Sequence, residues 1–303
     1  MSEDVFGRFP FAPDEKRPLH IRKDMARNFV YPAARPHFSD LNYLYVSTEK
    51  LTVGTWQLGP GGTYDPPDLH AGDEVYYLLD GTLTEHNPLL GEFMQVSKGE
   101  ALLLPMHGYH KGYNFGQGIM RALYVIAPKI WEDQFPPMDF EGDKMKMYKG
   151  RNNPSLPSRG RMQEWHGHGT TDDIGRWPVP GPECRKEPIL FYHISEARKL
   201  VNVHGVQHPM LVKFFVSNDL VHMGEFILPA GGNGSRASEP DSHKGDCALF
   251  VEWGPITVFL PHSQETYDVQ PEEVMFIPEG VEYQLINYTA GTAKAIFSVA
   301  PGL

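Results

Sequence analysis

Apolar residues in this chain come in short runs closed by turn residues. In "DEVYYLLDG" (73–81) β-branched, aromatic and aliphatic residues lead into Asp80-Gly81, a turn signal, so the run predicts a strand. The same alternation of short strands with Gly and Pro turns recurs along most of the chain, and one short helix is expected near "ISEARKL" (194–200).

The pattern also repeats. "LYVSTEKLTVGTWQLGPGG" (44–62) echoes "FFVSNDLVHMGEFILPAGG" (214–232), and "PDLHAGDEVYYLLDG" (67–81) echoes "PDSHKGDCALFVEWG" (240–254). "LLLPMHGYHKGYN" then matches "MFIPEGVEYQLIN", and "MRALYVIAP" matches "AKAIFSVAP". Val46 to Val216 is 170 residues (216 − 46), whereas Gly81 to Gly254 and Pro105 to Pro278 are each 173 (254 − 81, 278 − 105), a three-residue loop insertion. Two copies of an all-β unit imply two β-barrels or sandwiches side by side. The expected division is an N-terminal arm (1–40), barrel one (41–130), a connector (131–208) rich in Pro, Gly and charge, and barrel two (209–303). So long a connector is expected to pack over a neighbouring domain.

Composition narrows the field. The 303 residues are 41% hydrophobic, enough for a substantial core. A formal net charge of −11 without any basic run argues against a nucleic-acid partner. The N-terminus lacks a basic start with an apolar stretch, and no apolar run approaches the roughly 20 residues of a membrane span. With only two cysteines, Cys184 and Cys247, a disulfide framework is not expected. These features point to a cytoplasmic protein with no membrane partner.

Candidate chemistry concentrates in the first copy. His70 and Glu74 stand four apart (74 − 70) at the approach to a strand, not on a helix face. They converge only if something small and charged, such as a metal ion, lies between them.

The residues now resemble the cupin superfamily, in particular its two-domain members, the bicupins. The first cupin motif is matched by Gly62, Asp68-x-His70, Glu74 and Gly81, with Asp68 where a histidine is usual. The second is matched by Gly99, Pro105, His110 and Asn114, with His107 where glycine is usual. Copy two is degenerate: Asp241-x-His243, then Cys247 for the Glu, Gly254, Pro278, Gly280, and Tyr283 for the last His. The resemblance covers both copies and implies two tandem jelly-roll barrels joined by a long, partly irregular connector.

It also implies that His70, Glu74 and His110 ligate one divalent metal ion, Fe, Mn, Zn or Ni, in barrel one. Asp68 has three readings: a fourth ligand, a general base beside the metal, or a structural turn, since Asp241 stands at the equivalent place. His107 is a candidate catalytic or substrate contact, or else a loop histidine. Trp56, Tyr64, Tyr76 and Tyr113 are candidates to line the substrate site, with plain core packing as the alternative. His166 and His168 have the H-x-H spacing of a metal pair but lie in the connector without a partner motif, where a solvated loop is expected. Barrel two is expected to be structural and metal-free.

Cupins host many chemistries. The leading expectation is a metal-dependent enzyme that isomerises, or eliminates from, a small oxygen-rich substrate such as a sugar acid or keto acid. The alternatives are a non-haem Fe(II) dioxygenase of a phenolic or diketone substrate, and a non-catalytic binding protein. By analogy with other cupins, edge strands would pair two copies into a homodimer.

Overall fold

Each turn-bounded run becomes an antiparallel strand. A computed structural model describes residues 8–12, 15–31, 40–64, 67–128, 130, 174–205, 209–232 and 240–303. His166 and His168 lie outside the described residues, as does the connector from 131 to 173. The first ten strands are β1 (Leu19–Ile21), β2 (Arg27–Tyr31), β3 (Asp40–Ser47), β4 (Thr52–Leu58), β5 (Asp73–Asp80), β6 (Thr82–Asn87), β7 (Glu92–Ser97), β8 (Ala101–Leu104), β9 (Lys111–Tyr113) and β10 (Met120–Ala127). The second ten are β11 (Tyr192–Ile194), β12 (Leu200–His204), β13 (Met210–Ser217), β14 (His222–Leu228), β15 (Asp246–Trp253), β16 (Ile256–Leu260), β17 (Glu265–Val269), β18 (Val274–Ile277), β19 (Gln284–Ile286) and β20 (Ala293–Ala300). The protein is all-β, with two jelly-roll barrels. Among the described residues no helix is long and apolar enough to cross a membrane.

The expected helix near "ISEARKL" is instead a three-residue 3-10 turn, Glu196–Arg198, between β11 and β12. Ile194 and Leu200 are fully buried as strand residues on either side of it.

The duplication reaches further than the motifs. β1, the turn Lys23–Met25 and β2 are followed 173 residues later (192 − 19, 196 − 23, 200 − 27) by β11, Glu196–Arg198 and β12. These segments from the arm and the connector join the barrels. One seven-stranded sheet runs β11-β8-β5-β10-β4-β3-β2, and a three-stranded sheet β7-β6-β9 faces it to complete barrel one. The second pair of sheets runs β1-β18-β15-β20-β14-β13-β12 and β17-β16-β19. Each copy therefore gives its leading strand to the other barrel: β1 pairs with β18, and β11 with β8.

Between the barrels the ring of Tyr77 lies flat on that of Phe215, centroids 5.0 Å apart and 4° from parallel. Around it, Lys294 Nζ donates to Tyr77 Oη (2.7 Å) and pairs with Glu225 (2.8 Å) and Glu252 (3.0 Å), so the buried charges are mutually satisfied. A second junction sits where β5 begins. Asp73, wholly buried, accepts from Arg185 Nη2 (2.5 Å) and Nε (3.0 Å), from Asn218 Nδ2 (2.9 Å) and from the Met106 amide (2.9 Å). Asp73 thereby ties barrel one, the end of the connector and barrel two together three residues from His70.

Candidate metal centre

Two backbone bridges bring the first motif to the second. The Asp68 amide donates to the His110 carbonyl (2.8 Å), and the His110 amide returns the bond to Asp68 O (2.9 Å). The His107 amide donates to His70 O (3.0 Å). Asp241 and Tyr283 form the same bridge in barrel two, so this pairing belongs to the repeat itself and not to the metal chemistry of one copy.

His107 has φ 65°, and Gly280, its counterpart 173 residues on, has φ 75°. The left-handed turn explains why glycine suits this position and shows that His107 carries the strain of a side chain there. The cavity described below is not lined by His107.

With the motifs joined, Glu74 on β5 reaches both imidazoles. Its Oε2 lies 3.3 Å from His70 Nε2 and 3.2 Å from His110 Nε2, and all three residues are at most 8% exposed. One ligand atom from each lies within 4.8 Å of the others. Two donors held about 2.1 Å from one ion at right angles stand about 3 Å apart. The observed separations therefore fit a divalent ion between them.

The hydrogen bonding agrees. Glu74 Oε2 and His110 Nε2 are buried and have no hydrogen-bond partner among the described residues. His110 Nδ1 lies 2.9 Å from Gly108 O, which can only accept, so Nδ1 carries a proton and Nε2, which faces Glu74, is the nitrogen left to bind an ion once its own proton is lost. The electrostatics make the same demand for positive charge. Burial, the largest influence on Glu74, pushes its carboxyl up, but the two imidazoles outweigh it and bring it down to about 2. Burial likewise works to lower His110, yet contact with Glu74 and the charges of Glu85 and Asp68 hold it at about 9. His70 is raised, again against burial, by Glu74 and Asp68.

A cavity of about 50 Å³ opens onto this cluster, lined by His70, Glu74 and Asp68 together with Trp56, Tyr64 and Tyr76. Asp68 Oδ1 accepts from the Leu69 amide (2.8 Å), while Oδ2 stands 3.8 Å from His70 Nε2. Trp56 packs on Tyr76 (5.1 Å) and Tyr64 (6.0 Å), and both tyrosines present edges to His110.

Tyr113 is placed elsewhere. On β9 it is Gly112 that points inward, where a Cβ would meet Leu83 and Tyr64 at 3.1 Å. By the two-residue alternation of a strand Tyr113 faces out, and it stacks on the exposed Phe115 with ring centroids 5.4 Å apart.

Three polar residues not singled out in the sequence also matter. Asp40 and Asn42 line the cavity from β3, and Asp40 Oδ1 is buried without a partner among the described residues. Burial pushes the Asp40 carboxyl up to about 8. Glu85 on β6 is wholly buried, accepts from the Tyr64 hydroxyl (3.2 Å), and is likewise pushed up to about 8 by burial. The available signal was strand alternation: residues 40, 42 and 44 of "DLNYL" all face inward, so two of three core-facing positions are polar.

Two jelly-roll barrels, one enclosing a buried His-Glu-His set at the meeting of two motifs, define a two-barrel cupin architecture. Residues 54–126 match the family model described as the cupin domain. The match lies within the first barrel, and the chain as a whole has the two-barrel cupin fold. No curated protein matches the sequence.

Solved structures share the fold at low identity. A putative glyoxylate-induced protein from Pseudomonas aeruginosa aligns with TM-score 0.61 at 14% identity, over 94% of this chain and 90% of that one. Salicylate 1,2-dioxygenase from Pseudaminobacter salicylatoxidans aligns with TM-score 0.55 at 14% identity, over 92% and 76%. Oxalate decarboxylase aligns with TM-score 0.57 at 13% identity, over 95% and 78%. The architecture thus hosts enzymes of more than one class.

Proposed function

We propose that barrel one is a metal-dependent enzyme site acting on the oxygen-bearing end of a small acid, such as a keto acid or sugar acid, by isomerisation or elimination. The carrying observation is the cavity of about 50 Å³, walled by carboxyl and aromatic hydroxyl groups. For comparison, an apolar cavity of about 150 Å³ takes a benzene ring. The space over the triad therefore suits a carboxylate or keto head, with the rest of a larger substrate kept at the mouth.

His70, Glu74 and His110 would hold the ion, which when bound polarises substrate oxygens as a Lewis acid. The chain's own residues supply the rest. Asp68 Oδ2, lining the cavity beside the triad, is placed to take a proton from a bound substrate. Asp40, whose buried carboxyl holds a proton at neutral pH, is placed to give one back, and Tyr64 and Glu85 share a hydrogen bond behind His110. Trp56, Tyr64 and Tyr76 pack against one another and keep bulk water out of the site.

A second reading rests on the donor set, since two histidines and one carboxylate also suit non-haem Fe(II) and O2. A phenolic or diketone substrate would then be expected. One experiment separates the two. Anaerobic turnover of short keto or hydroxy acids by the metal-loaded protein supports the first reading. Oxygen uptake with ferrous iron and catechols or diketones, and no anaerobic turnover, replaces it with the second. Failure of both leaves a binding protein. For Asp68→Asn the proposal expects retained metal with lost turnover.

A further inference from the structure

We propose that barrel two is a separate binding site for a neutral, mostly apolar small molecule that carries one carbonyl or hydroxyl oxygen. The interior of this barrel holds a cavity of about 250 Å³, five times the about 50 Å³ over the metal triad (250/50). Its walls are Val212, Phe214, Phe226, Leu249, Leu285 and Phe297. The cavity opens to solvent beside the exposed Val203, His204 and Leu303, and its apolar depth is far roomier than the few water-sized voids of a packed interior.

The polar end of the cavity stands where barrel one has its ligands. His243, Cys247 and Tyr283 follow His70, Glu74 and His110 by 173 residues each (243 − 70, 247 − 74, 283 − 110). Tyr283 Oη and His243 Nε2 lie 2.7 Å apart, so these two groups are engaged with each other. Burial pushes the Cys247 thiol and the Tyr283 phenol up and the His243 imidazole down, leaving all three uncharged. Such a set offers no anionic ligand to a metal ion, and the only metal-competent group among the described residues is that of barrel one.

Two residues that line the cavity each hold a buried polar atom without a partner among the described residues, His243 Nδ1 and Asn202 Nδ2. The amide nitrogen can only donate, so it calls for an oxygen acceptor on the occupant. Charge on the occupant is disfavoured. The ionisable groups at the cavity, His204 and Asp241, already pair with each other at 3.0 Å, and an unpaired carboxylate among the phenylalanines would be heavily penalised. Scaling from a cavity of about 150 Å³ for the six carbons of benzene, the space suits about ten non-hydrogen atoms.

The test uses 4-fluoroacetophenone, a neutral ketone of that size, against 4-fluorobenzoate, its charged counterpart. Fluorine NMR of the full chain should show saturable binding of the ketone with Kd on the order of 0.1 mM, and benzoate at least about tenfold weaker. Methyl NMR of the unaltered protein should place the ketone's shifts on Val212, Leu249 and Leu285, and not on Ile126 or Ile130 beside the triad. Asn202→Ala should weaken the ketone, and Leu285→Trp, which fills the cavity, should abolish binding while the metal content of barrel one is kept. Absence of saturable binding, or shifts confined to barrel one, overturns the proposal. So does benzoate binding as tightly as the ketone. None of these readouts depends on the reaction assigned to barrel one.

Discussion

Loading the triad with a divalent ion should expel protons, and the structure sets the size of the effect. With His110 at about 9 in the metal-free site, that imidazole is protonated at pH 7. Removing its proton there costs about 3 kcal/mol (1.36 × (9 − 7)), which weakens metal binding about a hundredfold relative to the fully deprotonated site. Apparent affinity should therefore rise about tenfold from pH 7 to pH 8 and level off near pH 9. The raised His70 steepens the lower part of the curve. Calorimetric titration with Mn²⁺ or Zn²⁺ in buffers of different ionisation enthalpy counts the protons, and about one to two should leave per ion at pH 7.

The same pair governs metal-free stability. A histidine raised from 6.5 to about 9 in the fold gives stability that is full below pH 6.5 and lost as pH rises through 9. The loss is about 1.36 × 2.5, or about 3 kcal/mol, for His110. Glu74, depressed to about 2, contributes stability that is present above its ordinary value of 4.5 and lost as pH falls through 2. Metal-loaded protein should lack the alkaline decline. A pH-independent metal affinity between 6.5 and 9, with no protons released, would refute the reasoning.

Further perturbations test the frame around the site. His243→Ala should leave bound metal unchanged by elemental analysis, because barrel two offers no competing ligand set; loss of metal would place a ligand there. Asp73→Ala leaves Arg185 only the half-exposed Asp219 and removes the acceptor of Asn218 and of the Met106 amide at the junction of both barrels, and chemical denaturation should show a loss of about 3 kcal/mol. In Gly54→Ala the new methyl would sit 2.4 Å from the Tyr124 ring, which lines the triad cavity. A loss of about 1–3 kcal/mol is expected, together with weaker substrate binding.

Much of this was legible in the sequence because the two periodicities that matter, strand alternation and the duplicated register, are local and repeat. The convergence of His70, Glu74 and His110 followed from the motifs, and the paired backbone bonds of Asp68 and His110 show how it is achieved. The exchange of β1 and β11 between barrels was not legible: three-residue strands carry too little pattern to say which edge they will meet. Asp40 and Glu85 escaped notice because a carboxylate in a strand reads as solvent-facing until its neighbours are known. Tyr113 flanks the second motif in sequence as Tyr64 and Tyr76 flank the first, but the strand's alternation turns it to the face opposite Gly112. The replacement of two ligand positions by Cys247 and Tyr283 is plain in the sequence, whereas the cavity beside Tyr283 and His243 depends on packing across two sheets.

The most direct test of the account is elemental analysis of the protein purified without added metal or chelator, with His110→Ala alongside. About one equivalent of a divalent transition metal in the parent protein, lost in the variant, is the predicted result. No metal in either protein, or equal metal in both, would contradict it.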